Sequence, residues 1–268
     1  MKSLDLLIDE YVKNGFTVMQ ARYQVAQKII LTKLEESSYV DKVLLKGGIV
    51  MYNITQEQRR TTSDLDIDFI RLDISKEQNI VKFIEVLNKK EPLYHLGLKS
   101  TRELHQQDYK GKRLELLISD DYGSKPVRFT MDIGVHTLLG IEQQKMCFVF
   151  MDGKQLSLWA NPPEQIFAEK VFSLAKIGPT SGRYKDLNDL YYLITSCGMN
   201  KKIVKKCFEL LTIGHPYGIY NLDKIISRVE NTLNNELFIQ GFANQNNLWL
   251  DVDYHTIKTI ILDFIYEI

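Results

Sequence analysis

The sequence predicts an α+β fold in which a mixed sheet with flanking helices precedes a bundle of helices. Apolar and polar residues alternate in several short stretches between residues 43 and 150, as in strands that bury one face. From Pro163 onward the apolar residues recur at helical spacing instead. The change falls at "ANPPEQ", where two prolines predict the start of a new helix. We therefore expect a mixed α and β domain over 1–160 and a helical domain over 161–268.

The first part of the chain begins with two amphipathic helices, "SLDLLIDEYVKN", for which Ser3 is a suitable N-cap, and "VMQARYQVAQKIILTKLEES". The apolar stretch "KVLLKGG" predicts a strand that stops at two glycines, and "IVMYNI" predicts a short helix after it. The alternation in "DLDIDFI" predicts a strand with one polar face. "SKEQNIVKFIEVLNKK" predicts a helix capped by Ser75. Four further strands are predicted at "YHLGLKS", "RLELLIS", "VRFTMDIGV" and "KMCFVF".

The second part of the chain predicts helices only. Apolar residues at helical spacing occur in "EQIFAEKVFSLAKI", "YKDLNDLYYLITSC", "KKIVKKCFELLTI", "LDKIISRVENTLNNEL" and "YHTIKTIILDFIYEI". The third of these carries four lysines. They form either a solvated helix face or, if the protein acts on RNA, a set of phosphate contacts.

Composition excludes several classes of protein. Lys+Arg and Asp+Glu balance at 34 each, so the total charge gives no evidence for a nucleic-acid partner and leaves only local patches. The three cysteines lack metal-site spacing and suggest reduced thiols in a cytosolic protein. The acidic N-terminus does not resemble a signal peptide, and no uncharged apolar run approaches the ~20 residues that span a membrane. We expect a soluble cytoplasmic protein with no membrane partner.

Three aspartates alternate with apolar residues in the predicted strand that follows the glycine pair. Asp64, Asp66 and Asp68 would share one face, because residues i and i+2 of a strand point the same way. Unpaired carboxylates ~4 Å apart repel by roughly 4 kcal/mol at an effective dielectric constant near 20, so a cation has to neutralise them. Neighbouring arginines on a solvated edge strand are one solution. A divalent cation such as Mg²⁺, which prefers oxygen ligands and often bridges carboxylates to substrate phosphates, is the other.

Gly47-Gly48 lies between a predicted strand and a predicted helix. Glycines at such a position let backbone N–H groups approach a phosphate, although a tight turn alone also needs them. Asp132 is one acidic residue inside an apolar stretch, and it either faces solvent or supplies a third carboxylate. If its strand lies beside residues 64–69, three aspartates can surround two metal ions. The combination predicts a site for a nucleoside triphosphate (NTP) and Mg²⁺.

Three segments in this order resemble a known family. "LLKGGIVMYNI…RRTTSDLDIDF", "PPEQIFAEKVFSLAKI" and "RYKDLNDLYYL" are similar to the AbiEii/AbiGii-type nucleotidyltransferase toxins, whose catalytic domain has the polymerase-β-like fold. The resemblance implies an enzyme that transfers a nucleotide from an NTP to RNA, with the 3′ end of tRNA as the favoured acceptor. It also implies a two-metal Mg²⁺ site and a cognate antitoxin as partner.

The resemblance also implies roles for individual residues. The family's Arg-x-Thr-x-Asp-x-Asp stretch begins here at Arg60, its helix lysine is Lys170, and its Arg-x-Lys-Asp stretch begins at Arg183. The superfamily often has serine where this chain has Gly48. The implied catalytic residues are Asp64, Asp66, Asp132, Lys170 and Asp186, of which the first three also bind metal. The implied nucleotide-binding residues are Lys46, Gly47, Gly48, Arg60, Thr62, Arg183 and Lys185.

Other functions fit parts of the same pattern. A non-catalytic relative would bind a nucleotide and regulate, but it has no chemical reason to keep three carboxylates. Transfer to a protein acceptor would use the same site. A phosphatase of the Asp-x-Asp type is disfavoured, because its nucleophilic aspartate usually follows an apolar strand, whereas Asp64 follows the polar "RRTTS".

Overall fold

The computed structural model describes residues 2–104, 111–214, 218–246 and 248–268, and it divides into two compact units. The first unit contains the chain up to residue 137 together with 143–161. The second contains 138–142 and 162–268. A mixed sheet with helices in the first unit and helices in the second confirm the predicted α+β class.

The sheet of the first unit has seven strands in the order β3-β4-β5-β2-β1-β7-β6. Strands β2 and β5 are parallel, as are β1 and β7, and the other neighbours are antiparallel. The sequence analysis does not predict the seventh strand, which is formed by the alternating sequence "QLSLWA". The strands are β1 Val43–Lys46, β2 Asp64–Phe69, β3 Tyr94–Leu104, β4 Gly111–Asp120, β5 Val127–Val135, β6 Gln144–Val149 and β7 Gln155–Ala160.

Four helices accompany this sheet: α1 Leu4–Lys13, α2 Val18–Glu35, α3 Gly47–Thr55 and α4 Glu77–Asn88. The Ser3 side chain caps α1 as predicted, by accepting a hydrogen bond from the Leu6 N–H. The predicted cap at Ser75 is wrong. Lys76 is the residue before α4, and the Ser75 hydroxyl donates to Asp73 Oδ1 instead. A nearby carboxylate competes for the serine hydroxyl, as often happens in turns.

The two faces of β2 have different surroundings. Leu65, Ile67 and Phe69 are buried in the core of the first unit. The side chains between them are the three aspartates, which alternation along the strand places on the opposite face. The buried apolar residues therefore fix the register of β2, and the three aspartates are not needed for that packing.

In the described residues of the second unit there are six α-helices: α5 Pro163–Ile177, α6 Tyr184–Ser196, α7 Lys201–Thr212, α8 Leu222–Leu233, α9 Glu236–Ala243 and α10 Tyr254–Tyr266. The single helix expected over "LDKIISRVENTLNNEL" is wrong, because it breaks between α8 and α9, where Asn235 caps the second piece. The Phe167 ring packs edge-on against Phe208 and Phe264 in the core of this unit. Within the described residues, no helix is long and apolar enough to cross a membrane.

Candidate active site

A row of charged side chains crosses five neighbouring strands on one face of the sheet. The register pairs Lys46 with Asp66 and Asp66 with Asp132. It continues from Asp132 to Arg113, and from Arg113 to Arg102. Paired residues in a sheet have Cα atoms about 5 Å apart and side chains on the same face. The adjacency of β2 and β5, on which the hypothesis of a three-aspartate site depended, is therefore present.

The glycine pair at the start of α3 lies against the second of these strands. Gly47 has φ +64°, and a Cβ atom there would lie 2.2 Å from Asp66 Oδ2. A Cβ atom at Gly48 would lie 2.5 Å from Thr62 Oγ1. Both positions need glycine because the carboxylate and the hydroxyl approach the backbone so closely. The Thr62 hydroxyl thus occupies the space that a side chain at residue 48 would fill. It donates a hydrogen bond to Asp64 Oδ1 at 2.6 Å.

Gly47→Ala is expected to lower nucleotidyl transfer by about 100-fold, because a methyl group would displace the Asp66 carboxylate by an ångström or more. Gly153→Ala is the matched control, since Gly153 also has positive φ but has no atom within 4 Å of its added Cβ. Both variants carry the same backbone strain, and only the first disturbs the aspartate. Steady-state transfer rates for the two variants test this, and equal losses would contradict it.

The electrostatics around Asp66 indicate an excess of negative charge. Burial, followed by the charge of Asp64, raises the pKa of Asp66 from 3.8 to about 7, although Lys46 opposes the shift. Lys46 forms an ion pair with Asp68, since its Nζ lies 2.7 Å from Asp68 Oδ1. Asp68 is 4% exposed, so it forms a buried ion pair with Lys46 rather than facing solvent. A cation beside Asp64 and Asp66 would relieve the remaining repulsion.

Asp132 is held by an arginine. Arg113 Nε and Nη2 bind the two carboxylate oxygens at 2.8 and 2.7 Å, a bidentate pair that raises the pKa of the guanidinium. Across the described ranges, no group of three or more His, Cys, Asp or Glu side chains is arranged to hold a metal ion. The carboxylate oxygens of Asp64 and Asp66 are nevertheless the donors that suit Mg²⁺.

A glutamine that sequence reasoning did not select supports the aspartate strand. Gln27 is fully buried in α2, and its Nε2 donates to the carbonyl oxygens of Thr62 and Asp64 at 3.0 Å each. These bonds fix the backbone where it enters β2 and so orient the first aspartate. The available signal was a polar side chain in the apolar middle of a helix, which usually has a buried hydrogen-bonding partner.

The predicted residues of the second unit form a buried ion-pair network. Lys170 Nζ pairs with Asp186 and lies 2.8 Å from Asp189 Oδ2, and Arg183 also pairs with Asp186. Burial alone would raise the pKa of Asp186, but Lys170 and Arg183 hold it well below its usual range. Asp189 Oδ1 also accepts the indole N–H of Trp249 at 2.9 Å. Asp186 therefore fixes the position of Lys170.

The structure thus gathers the predicted site residues into two sets, one in each unit. Of the other predicted residues, Arg60 is buried in the 3₁₀ turn 58–60, and Lys185 is exposed on α6. The first set contains Lys46, Gly47, Gly48, Thr62, Asp64, Asp66 and Asp132. The second set contains Lys170, Arg183 and Asp186.

Comparison with solved structures shows the same fold in two bacterial proteins. MenT4, a nucleotidyltransferase toxin from Mycobacterium tuberculosis H37Rv, superposes with a TM-score of 0.64 at 14% identity, over 100% of this chain and 91% of that one. JHP933 from Helicobacter pylori superposes with a TM-score of 0.51 at 12% identity, over 94% and 93%. At these identities the likeness concerns the fold. No curated protein matches in sequence.

The sequence profile of one family matches residues 29–239. That family is described as the nucleotidyl transferase AbiEii toxin of type IV toxin–antitoxin systems. The match includes the charged row on the sheet, the glycine pair and the ion-pair network of the second unit. Because the matched residues make up most of the chain, this protein belongs to the AbiEii family of nucleotidyltransferase toxins.

Proposed function

We propose that this enzyme transfers a nucleotide from an NTP to RNA in a Mg²⁺-dependent reaction, with the 3′ end of tRNA as the favoured acceptor. The observation that carries the proposal is the contact between the glycine turn and Asp66, beside Asp64 and Asp132. The backbone N–H groups that would bind phosphate then lie next to the carboxylates that would bind the metal. The half-buried, repelling pair Asp64 and Asp66 suits a divalent cation better than it suits solvent.

Each group in the first unit has a defined task in this proposal. Asp64 and Asp66 would hold Mg²⁺, and Asp132 would serve as the proton acceptor once Arg113 releases it. The N–H groups of Gly47 and Gly48, at the N-terminus of α3, bind phosphate oxygens. Mg²⁺ held by these carboxylates would supply positive charge for the phosphates and for the leaving oxygen. Thr62 holds Asp64 in place through its hydroxyl.

The reaction is a displacement at phosphorus. The acceptor hydroxyl oxygen forms a bond to the α-phosphorus of the NTP, and the bond from that phosphorus to the bridging oxygen breaks. Pyrophosphate leaves with the electron pair. We assign the hydroxyl proton to Asp132, which lies between Asp66 and Arg113 in the charged row.

The catalytic roles of Lys170 and Asp186 and the nucleotide-binding roles of Arg183 and Lys185 rest on the family pattern. Within that unit, the contacts favour Lys170 as the cation that holds Asp186 and Asp189 rather than as a free phosphate ligand. The family supports an antitoxin as partner, and we propose that both proteins act in the cytoplasm.

The test is to incubate the purified protein with total bacterial RNA and each α-³²P-labelled NTP separately, with Mg²⁺ or with EDTA. Asp66→Asn protein prepared in parallel controls for contaminating enzymes. We expect label to enter RNA with Mg²⁺ and the unmodified protein only, and the labelled species identifies the acceptor.

Other outcomes separate the alternatives. Label entering protein would retain the chemistry and replace the acceptor. Absence of label in every lane, with NTP binding still measurable by calorimetry, would support the non-catalytic relative. Label incorporated equally in EDTA would contradict the metal requirement.

A further inference from the structure

A groove of about 680 Å³ lies beside Asp64 on the strands at one side of the charged row. Its volume falls within the ~300–1,000 Å³ that is common for ligand sites. Strands β4 and β5 contribute most of the lining, and α2 contributes an aromatic ring. The residues that bear on the argument are Tyr23, Asp64, Lys99, Arg113, Glu115 and Arg128.

The charges in this groove favour an anionic ligand. Arg113 is paired with Asp132, and Glu115 is paired with Arg102 at 3.1 Å. Within the described part of the chain, neither Lys99 nor Arg128 has an ion-pair partner, and both side chains are exposed. Two uncompensated cations therefore face a groove that ends at a proposed metal ligand. In a protein of net charge +0, such local clusters determine where a polyanion binds.

The lysine-rich helix α7 is a weaker candidate for the same task. Lys201 pairs with Glu267, while Lys205 and Lys206 donate to the carbonyl oxygens of Ile268 and Gly140. Three of its four lysines are thus occupied by local contacts. A phosphate would have to displace these contacts, whereas Lys99 and Arg128 offer their charge directly.

We infer that this groove binds the single-stranded end of the RNA acceptor and directs its terminal hydroxyl towards Asp64 and Asp66. Lys99 and Arg128 contact backbone phosphates, and the half-buried Tyr23 ring supports a base. Cationic grooves with an aromatic side chain bind single strands in this way, without reading a long sequence. The inference rests on the proposed function, since it names the site for that acceptor.

The test is direct RNA binding in EDTA, measured by fluorescence anisotropy with a labelled single strand roughly 12 nucleotides long. The Lys99→Ala/Arg128→Ala double variant is compared with Lys82→Ala/Lys89→Ala, which removes two exposed lysines from the α4 region. We expect the groove variant to bind RNA at least about 10-fold more weakly. Its slope of log affinity against log salt should fall by about 1.4, or ~0.7 for each lost phosphate contact. The control should bind as the unmodified protein does.

Three results would overturn the inference. They are equal RNA affinity in the groove variant and the unmodified protein, no RNA binding by the unmodified protein, and loss of NTP affinity with RNA affinity intact. The last would assign the groove to the donor nucleotide. If the groove variant still transfers labelled nucleotide to RNA with an unchanged Michaelis constant for RNA, the groove assignment fails while the proposed function stands. If no label enters RNA at all, the proposed function itself fails.

Discussion

Asp66→Asn is expected to lower nucleotidyl transfer by about 100- to 1,000-fold and, at the same time, to stabilise the metal-free protein at pH 8. The loss in rate follows from removing one charged group that acts on the phosphates, and single electrostatic groups in active sites contribute about 10²–10³-fold. The gain in stability follows from the surroundings of Asp66. Burial and Asp64 raise its pKa to about 7, so its charge destabilises the native state.

The sign of the pH dependence is fixed by the raised pKa. The native protein holds the Asp66 proton more tightly than the unfolded chain, so the free energy of unfolding falls as pH rises from about 4 to 7. The penalty grows by ~1.4 kcal/mol for each pH unit in that window. Because the side chain is partly exposed, solvent screening reduces the effect, and we expect a gain of about 2 kcal/mol from Asp66→Asn at pH 8.

Urea denaturation in EDTA at pH 5 and pH 8 measures this difference, beside transfer assays with Mg²⁺. The exposed Asp9 on α1 provides the control. Asp9→Asn should leave the transfer rate unchanged, and it should leave the pH dependence of the free energy of unfolding unchanged. Full transfer activity in the Asp66 variant would refute the catalytic assignment. Equal stability changes at both pH values would refute the electrostatic one.

Lys170→Met is expected to lower the free energy of unfolding by about 3–5 kcal/mol, the usual result when one partner of a buried ion pair is removed. Asp189 is 0% exposed and Asp186 is 7% exposed, so both carboxylates lose a cation that water cannot replace. Adding Asp189→Asn should recover part of the loss, because an amide oxygen still accepts the Trp249 indole N–H without a buried charge.

Chemical denaturation of the single and double variants at pH 7 measures this effect. Lys202→Met, at an exposed position on α7, is the control and should change stability by no more than about 0.5 kcal/mol. The measurement also separates two roles for Lys170. A variant that is as stable as the unmodified protein but inactive would show that Lys170 acts on the substrate rather than on the carboxylates of its own unit.

Local patterns accounted for a large share of the fold. Period-2 alternation placed β2 and gave its three aspartates a common face, and helical spacing located α1, α2 and most of the second unit. The short strand β7 carried the same alternation and was overlooked. The single helix predicted across α8 and α9 is wrong because apolar spacing continues through Asn234-Asn235, where α8 ends and the Asn235 side chain caps the start of α9.

The sequence by itself determined which residues could carry the chemistry, through the glycine pair, the alternating aspartates and the family pattern. Only the tertiary structure decided their partners. The register of β4, β5 and β2 brings Arg113 to Asp132 and places both beside Asp66. The pairing of β1 with β2 allows Lys46 to form its ion pair with Asp68. Strand order and long-range pairing are set by the packing of the whole unit, whereas periodicity records only which side of its own strand or helix a residue occupies.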